Sequence, residues 1–387
     1  MMKTELHSRS CLAVMVMALS LISLTSCAQR DSLDFKIGQM IMIGFPKAEV
    51  DSAVLAEIKA GKVGSIIFFE KNIPKSNSFA GLKKMTWAYQ QAAPVPLLIG
   101  IDQEGGRVNR LKEKYGFTRS VSAAYIGKMK SLDTARFYAD ATAGTLSGLG
   151  FNVNFAPCVD LAVNPTNTVI YKVERSYSAD PDTVIMYARE TIRQHRKHNV
   201  LTSLKHFPGH GSSTADTHFG VADVTDTWSD KELKPYRELL AAGYVDAVMT
   251  SHIVNKNIDP KGLPGTLSNR TIDSLLRKKI GFQGLVFTDD MQMHAITKYF
   301  GLQETIRLAV KAGVDIMCFS NNIQGSDDRT VDKVHRIIRD FVDKGEISKE
   351  RIEQSYRRIM AVKQKLQQAD TSRTDVQGLP KKSGKKR

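Results

Sequence analysis

The stretch KHFPGHGSSTADTHFG, residues 205–220, gathers Lys205, His206, His210, Asp216 and His218 into one short run that also holds Pro208 and three glycines. Proline and glycine interrupt helix and strand alike, so these titratable groups sit on a loop. A second concentration closes the apolar run LVFTDD, residues 285–290, with Asp289 and Asp290. A third, DQEGGRVNR at 102–110, begins with Asp102 and ends with Arg110. Imidazole titrates near neutrality and a carboxylate can attack or hold charge, so a carboxylate facing such a loop is equipped for paired acid/base chemistry. His206, His210, Asp216 and His218 also offer metal-ligand types. Yet Pro208 and Gly209 prevent a helical i, i+4 histidine pair, and no H-E-x-x-H occurs. No G-x-S-x-G elbow supports a serine hydrolase. Taken singly, Asp289 could be a helix N-cap and His206, His252 or His294 a hydrogen-bonded core histidine; the joint placement favours a site.

What positions these groups is a series of short apolar runs at 37–45, 65–69, 97–102, 151–157, 201–207, 245–252, 285–290 and 314–320. Nearly continuous β-branched and aliphatic runs of this length are expected of strands buried on both faces of a parallel sheet. Amphipathic segments at 182–198 and 303–312 lie between them, the second stopped by Gly313. Eight strands alternating with helices predict a closed α/β architecture, a (β/α)8 TIM barrel with one catalytic domain. No G-x-G-x-x-G follows the first strand, which disfavours the doubly wound alternative. In such a barrel the site is built at the carboxyl ends of the strands, where Asp102, Lys205, His206, His252 and Asp289 are all expected.

The chain has 387 residues with 42% hydrophobic content, enough for a large core. Its net charge of +15 is uneven, because the seven residues 381–387 alone contribute five positive charges. No run of lysine or arginine interleaved with aromatics suggests a base-stacking groove, so nucleic acid is not an expected partner. Lys3 and Arg9 precede the apolar run 11–24, which has the shape of a secretory signal and ends in Leu24-Thr25-Ser26-Cys27. That ending resembles a bacterial lipobox. It implies a signal peptide at 1–26 and lipidation of Cys27; after a linker at 27–34, the strand and helix pattern places the barrel at 35–368, ending in a helix at 348–367, and the polar, charged composition predicts a basic, disordered tail at 369–387. The expected location is outside the cytosol, lipid-anchored to a bacterial membrane. Cys158 and Cys318, in apolar runs, read as buried free thiols.

With these motifs in order, the chain resembles the single-domain β-N-acetylglucosaminidases of glycoside hydrolase family 3 from about residue 35 to 365. LLRKKIGFQGLVFTDDMQM (275–293) resembles the family's nucleophile signature, KHFPGHGSSTADTH its acid/base loop, IDQEGGRVNR its D-x-E-G-G-R-V-x-R element, and ERSYSADP (174–181) its R-S-[FY]-x-x-[DN]-P element. The resemblance implies Asp289 as nucleophile, and His218 with Asp216 as a general acid/base dyad. It further implies Asp102, Arg110, Arg175, Lys205 and His206 as ligands of the terminal sugar. The implied substrate is a carbohydrate with terminal β-linked N-acetylhexosamine, and neither metal nor organic cofactor is needed. Arg107, His210 and Asp290 are expected to support the loops. A β-glucosidase, a broad hexosaminidase or a non-catalytic sugar-binding lipoprotein is the alternative. The sequence does not fix an oligomeric state.

Overall fold

The computed structural model describes residues 32–214, 220–321 and 330–376; Cys27, Asp216 and His218 lie outside them. Eight strands pair in parallel: β1 (Ile41–Ile43), β2 (Ser65–Phe68), β3 (Leu98–Ile101), β4 (Val153–Asn154), β5 (Leu201–Phe207), β6 (Ala247–Thr250), β7 (Leu285–Phe287) and β8 (Met317–Phe319). They follow one another in chain order, β1 pairs with β8, and a parallel bridge from Phe287 to Ile316 brings β7 against β8. This is the expected (β/α)8 barrel. Every strand residue is buried, which explains why the strands read as unbroken apolar runs rather than alternating ones.

The helices are α1 (Leu33–Gln39), α2 (Ser52–Lys59), α3 (Ser78–Ala92), α4 (Ala123–Met129), α5 (Leu132–Leu149), α6 (Pro181–Lys197), α7 (Lys234–Ala241), α8 (His294–Ala312), α9 (Thr330–Asp343) and α10 (Lys349–Val376). A π-type helix, Arg270–Lys279, fills the place after β6. Local chemistry sets their limits. Asp180 accepts from Thr183 N at 2.9 Å, with Pro181 opening α6, and the left-handed Gly150 and Gly313 close α5 and α8.

Three sequence expectations are revised. The run 37–45 is not one strand: the Ser32 hydroxyl accepts from Phe35 N at 3.2 Å and starts a helix, leaving only Ile41–Ile43 extended. The helix expected at 303–312 extends back to His294 through a non-helical Gly301. The last helix runs on to Val376, past the expected end at 367.

The chain after β5 is held by side chains of the segment after β4 and, from further along the same connection, by Trp228. Asn167 donates to His210 O (2.8 Å) and Gly211 O (3.1 Å), Asn164 to Ser213 O (2.9 Å), and the Trp228 indole to Pro208 O (3.1 Å). Gly211 passes so close to Leu161 that a β-carbon would stand 2.0 Å from its carbonyl oxygen. That contact explains the second glycine of the GHG motif. Cys158 and Cys318 are free and buried, as expected. No helix among the described residues is long and apolar enough to cross a membrane.

Candidate active site

The carboxyl ends of the strands enclose a cavity of about 460 Å³, lined among others by Asp102, Arg110, Arg175, Lys205, His206 and Asp289. Thus the five residues expected to grip the sugar and the expected nucleophile share one cavity. Their loops fold to allow it. After β3, Gln103 Oε1 accepts from Arg110 N and Leu111 N, both at 3.0 Å, and Glu104 N and Gly105 N donate to Val108 O. This doubles the loop back and returns Arg110 to the cavity. Gly105, at φ +100°, would place a β-carbon 2.1 Å from Val121 O, so glycine is required in that hairpin-like turn.

The floor is a chain of opposite charges. Lys205 Nζ reaches Asp102 Oδ1 at 2.7 Å and Glu104 Oε1 at 2.6 Å. Arg175 grips Glu104 with two parallel bonds, Nε to Oε2 at 2.9 Å and Nη2 to Oε1 at 2.8 Å. Arg110 approaches Asp102 at 3.5 Å. Lys205 is 2% exposed, and such a cation is tolerated only because two carboxylates face it. Burial alone would raise the Asp102 and Glu104 carboxyls. Lys205 with Arg110 outweighs it at Asp102, and Arg175 with Lys205 at Glu104, so both are held below the ordinary carboxylate range. Burial opposes the charge on Lys205 as well, but Asp102 and Glu104 raise it. The floor therefore presents fixed charges and oriented donors suited to a polar ligand.

His206 extends this chain, with Nε2 2.9 Å from Arg175 Nη2 and Nδ1 2.6 Å from Asp160 Oδ2. Beside it, His210 is 2% exposed and its ring nitrogens have no hydrogen-bond partner among the described residues; burial lowers it to about 4, so it is neutral at pH 7. His252 is engaged on both nitrogens, by Thr266 Oγ1 (2.9 Å) and Asp290 O (3.0 Å), which is the role of a structural histidine.

The two aspartates after β7 differ. Asp290 turns to β8: Ser320 donates to it through its hydroxyl and its N–H, and Gln292 N donates to Oδ1 at 3.1 Å. Its carboxyl, raised by burial, thereby ties β7 to β8. Asp289 takes Asp290 N on Oδ1 at 2.8 Å and lines the cavity.

Cys158, Asp160 and His206 offer ligand atoms within 4.8 Å of one another. Asp160 already accepts from Cys158 Sγ (3.3 Å) and His210 N (2.8 Å), and burial holds the thiol well above its usual range, so the trio is a hydrogen-bonded cluster rather than a thiolate ligand set. Glu104 and Asp160 are the site residues that sequence reasoning missed. Glu104 stands inside the D-x-E-G-G-R motif; Asp160 follows a strand only two residues long, and its one signal is an acid at the end of the apolar run FNVNFAPCV.

Residues 32–362 match the model of the glycosyl hydrolase family 3 N-terminal domain. A β-hexosaminidase from Tolumonas auensis is 31% identical over 289 residues, which is 74% of this chain and 84% of that protein. β-Hexosaminidase A from Pseudoalteromonas piscicida is 31% identical over 328 residues, 80% of this chain but 54% of the relative, so the chain spans about half of that protein. Among solved structures, a family 3 β-N-acetylglucosaminidase from Paenibacillus superposes with a TM-score of 0.79 at 36% identity, over 87% of this chain and 62% of that one. A β-N-acetylhexosaminidase from Beutenbergia cavernae gives 0.76 at 28% identity, over 86% and 98%.

Proposed function

The chain belongs to glycosyl hydrolase family 3, and from that premise we propose that it is a retaining exo-β-N-acetylglucosaminidase. It removes terminal, non-reducing β-linked N-acetylhexosamine from peptidoglycan fragments or other external glycans. The observation that carries this reading is the shared cavity: Asp102, Lys205, Arg175 and the carboxylate of Asp289 line one space, with Glu104 pairing to Lys205 and Arg175 behind it. The names of the relatives support the substrate class.

The reaction has two steps. Asp289 attacks the anomeric carbon, forming an ester, while His218 gives its proton to the departing glycosidic oxygen. His218, now neutral, takes a proton from water, whose oxygen displaces Asp289 and restores the β configuration. Asp216 orients the imidazole and stabilises its protonated form. Lys205, fixed between two carboxylates, and Arg110 and Arg175 donate to the sugar; Asp102 accepts from it. Such matched polar groups discriminate against a sugar lacking the corresponding group.

Export as a lipoprotein anchored through Cys27 completes the proposal, supported by the lipobox-like LTSC sequence. Mass spectrometry of the mature N-terminus tests it, expecting a lipidated Cys27. For the reaction, release of p-nitrophenol from the β-N-acetylglucosaminide but not the β-glucoside is expected; activity on neither would leave a sugar binder. Asp289→Ala is expected to lower kcat at least about 10⁴-fold with the fold intact. His218→Ala is expected to slow substrates with poor leaving groups far more than aryl glycosides, and equal losses on both would remove His218 from the acid role.

A further inference from the structure

We propose that Asp160 is a positioning residue that fixes His206 as the neutral tautomer protonated on Nδ1, leaving Nε2 a bare acceptor beside Arg175. Arginine has only donors, so Arg175 Nη2, 2.9 Å from His206 Nε2, requires a lone pair on that nitrogen. A protonated ring, or the other tautomer, would set two N–H groups against each other there. The proton therefore resides on Nδ1, which donates to Asp160 Oδ2 at 2.6 Å.

Asp160 is built to receive it. At 1% exposure it also accepts from His206 N (3.2 Å to Oδ1, 3.1 Å to Oδ2), His210 N (2.8 Å) and Cys158 Sγ (3.3 Å). Burial opposes its ionisation, yet the hydrogen bonds from His206 and from His210 N favour the charged carboxylate and lower it. Four donors converge on one acid that is not itself among the residues lining the cavity. Asparagine, with a single acceptor oxygen, would turn an N–H₂ toward at least one of those donors. Through His206, Asp160 sets which atom of the imidazole faces Arg175, and so the orientation of the guanidinium that Glu104 holds from the other side. The inference rests on the reading above in which His206 and Arg175 grip the terminal sugar.

The test is long-range ¹H–¹⁵N spectroscopy of the ¹⁵N-histidine-labelled full chain at neutral pH, with the His206 signals identified by their loss in His206→Ala. The wild type is expected to show Nδ1 protonated and Nε2 unprotonated. Asp160→Asn is expected to shift the ring toward Nε2–H or a mixture and to weaken N-acetylglucosamine binding by about tenfold or more. An Nε2–H ring in the wild type overturns the proposal, and this stands even if Asp160→Asn does not fold. So does an Asp160→Asn protein that keeps both spectrum and affinity while His206→Ala loses affinity. If His206→Ala binds the sugar as the wild type does, the assignment of His206 to the sugar fails, and the wild-type spectrum still decides the tautomer.

Discussion

The two ends of the barrel use the same residue types to opposite purposes. At the mouth, Lys205 is buried between Asp102 and Glu104 and kept charged. At the base, Lys363 of α10 is fully buried, but it donates only to uncharged oxygens, Gln39 Oε1 at 2.7 Å and Gly64 O at 2.8 Å. Burial lowers it to about 7. One lysine is held ready for a ligand; the other staples the last helix to the chain ahead of β1 and β2. Nearby, Asp315 does similar work, accepting from Arg277 (2.6 Å), Ser355 (2.8 Å) and Val286 N (3.0 Å). The contrast teaches that the charge of a buried lysine depends on whether carboxylates surround it, and that only the paired kind lines the cavity.

The largest effect that sharpens this contrast is expected at the base. A lysine neutral when folded but protonated when unfolded binds fewer protons in the native chain, so stability rises as pH climbs from about 7 toward 10.5. The contribution amounts to about 5 kcal/mol over that window. Lys363→Met is expected to remove this slope from denaturant midpoints measured against pH, while kcat/KM at neutral pH stays within about twofold. The same substitution at the mouth, Lys205→Met, strands two carboxylates. A loss of about 3–5 kcal/mol of stability is expected, and separately a fall of roughly 10²-fold or more in kcat/KM of the folded enzyme, because a donor to the sugar is gone. Equal activity losses in the two variants would erase the distinction between the ends.

A smaller effect concerns Glu232, which lies under the loop after β5. Its Oε2 accepts from Gly211 N at 2.8 Å, and burial, outweighing the hydrogen bonds from Ser212 and Gly211, raises its carboxyl to about 7. The folded chain therefore binds this proton where the unfolded chain releases it, so stability falls as pH rises from about 4.5 to 7, by about 3 kcal/mol. Glu232→Gln keeps the acceptor for Gly211 and is expected to flatten that fall, read as thermal midpoints at pH 5 and 7. Retention of the slope in the variant would place its origin elsewhere.

Much of this arrangement was legible beforehand because barrel strands are local and apolar. The segments that became β2, β5 and β7 announced themselves by composition, and the polar residues closing them, Lys205, His206 and Asp289, marked the mouth. The run 37–45 misled because the end of α1, Ile37 to Gln39, leads directly into β1, and only the C-cap Met40, whose N–H turns back to Ile37 O, separates helix from strand. Glu104 and Asp160 escaped because their significance is a contact across the fold, with Arg175 and Lys205 in one case and His206 in the other. Periodicity carries no trace of such pairings. Nor could it rank Asp289 against Asp290, which differ in whether the carboxylate is tied to β8.

The measurement that bears most directly on the account is trapping of the reaction with a fluorinated, slowly hydrolysed N-acetylglucosaminide, followed by intact-mass analysis and peptide mapping. The account predicts one glycosyl residue added to the peptide that contains Asp289, with no adduct in Asp289→Ala. An adduct on another side chain, or undiminished turnover by the Asp289→Ala protein, would contradict it.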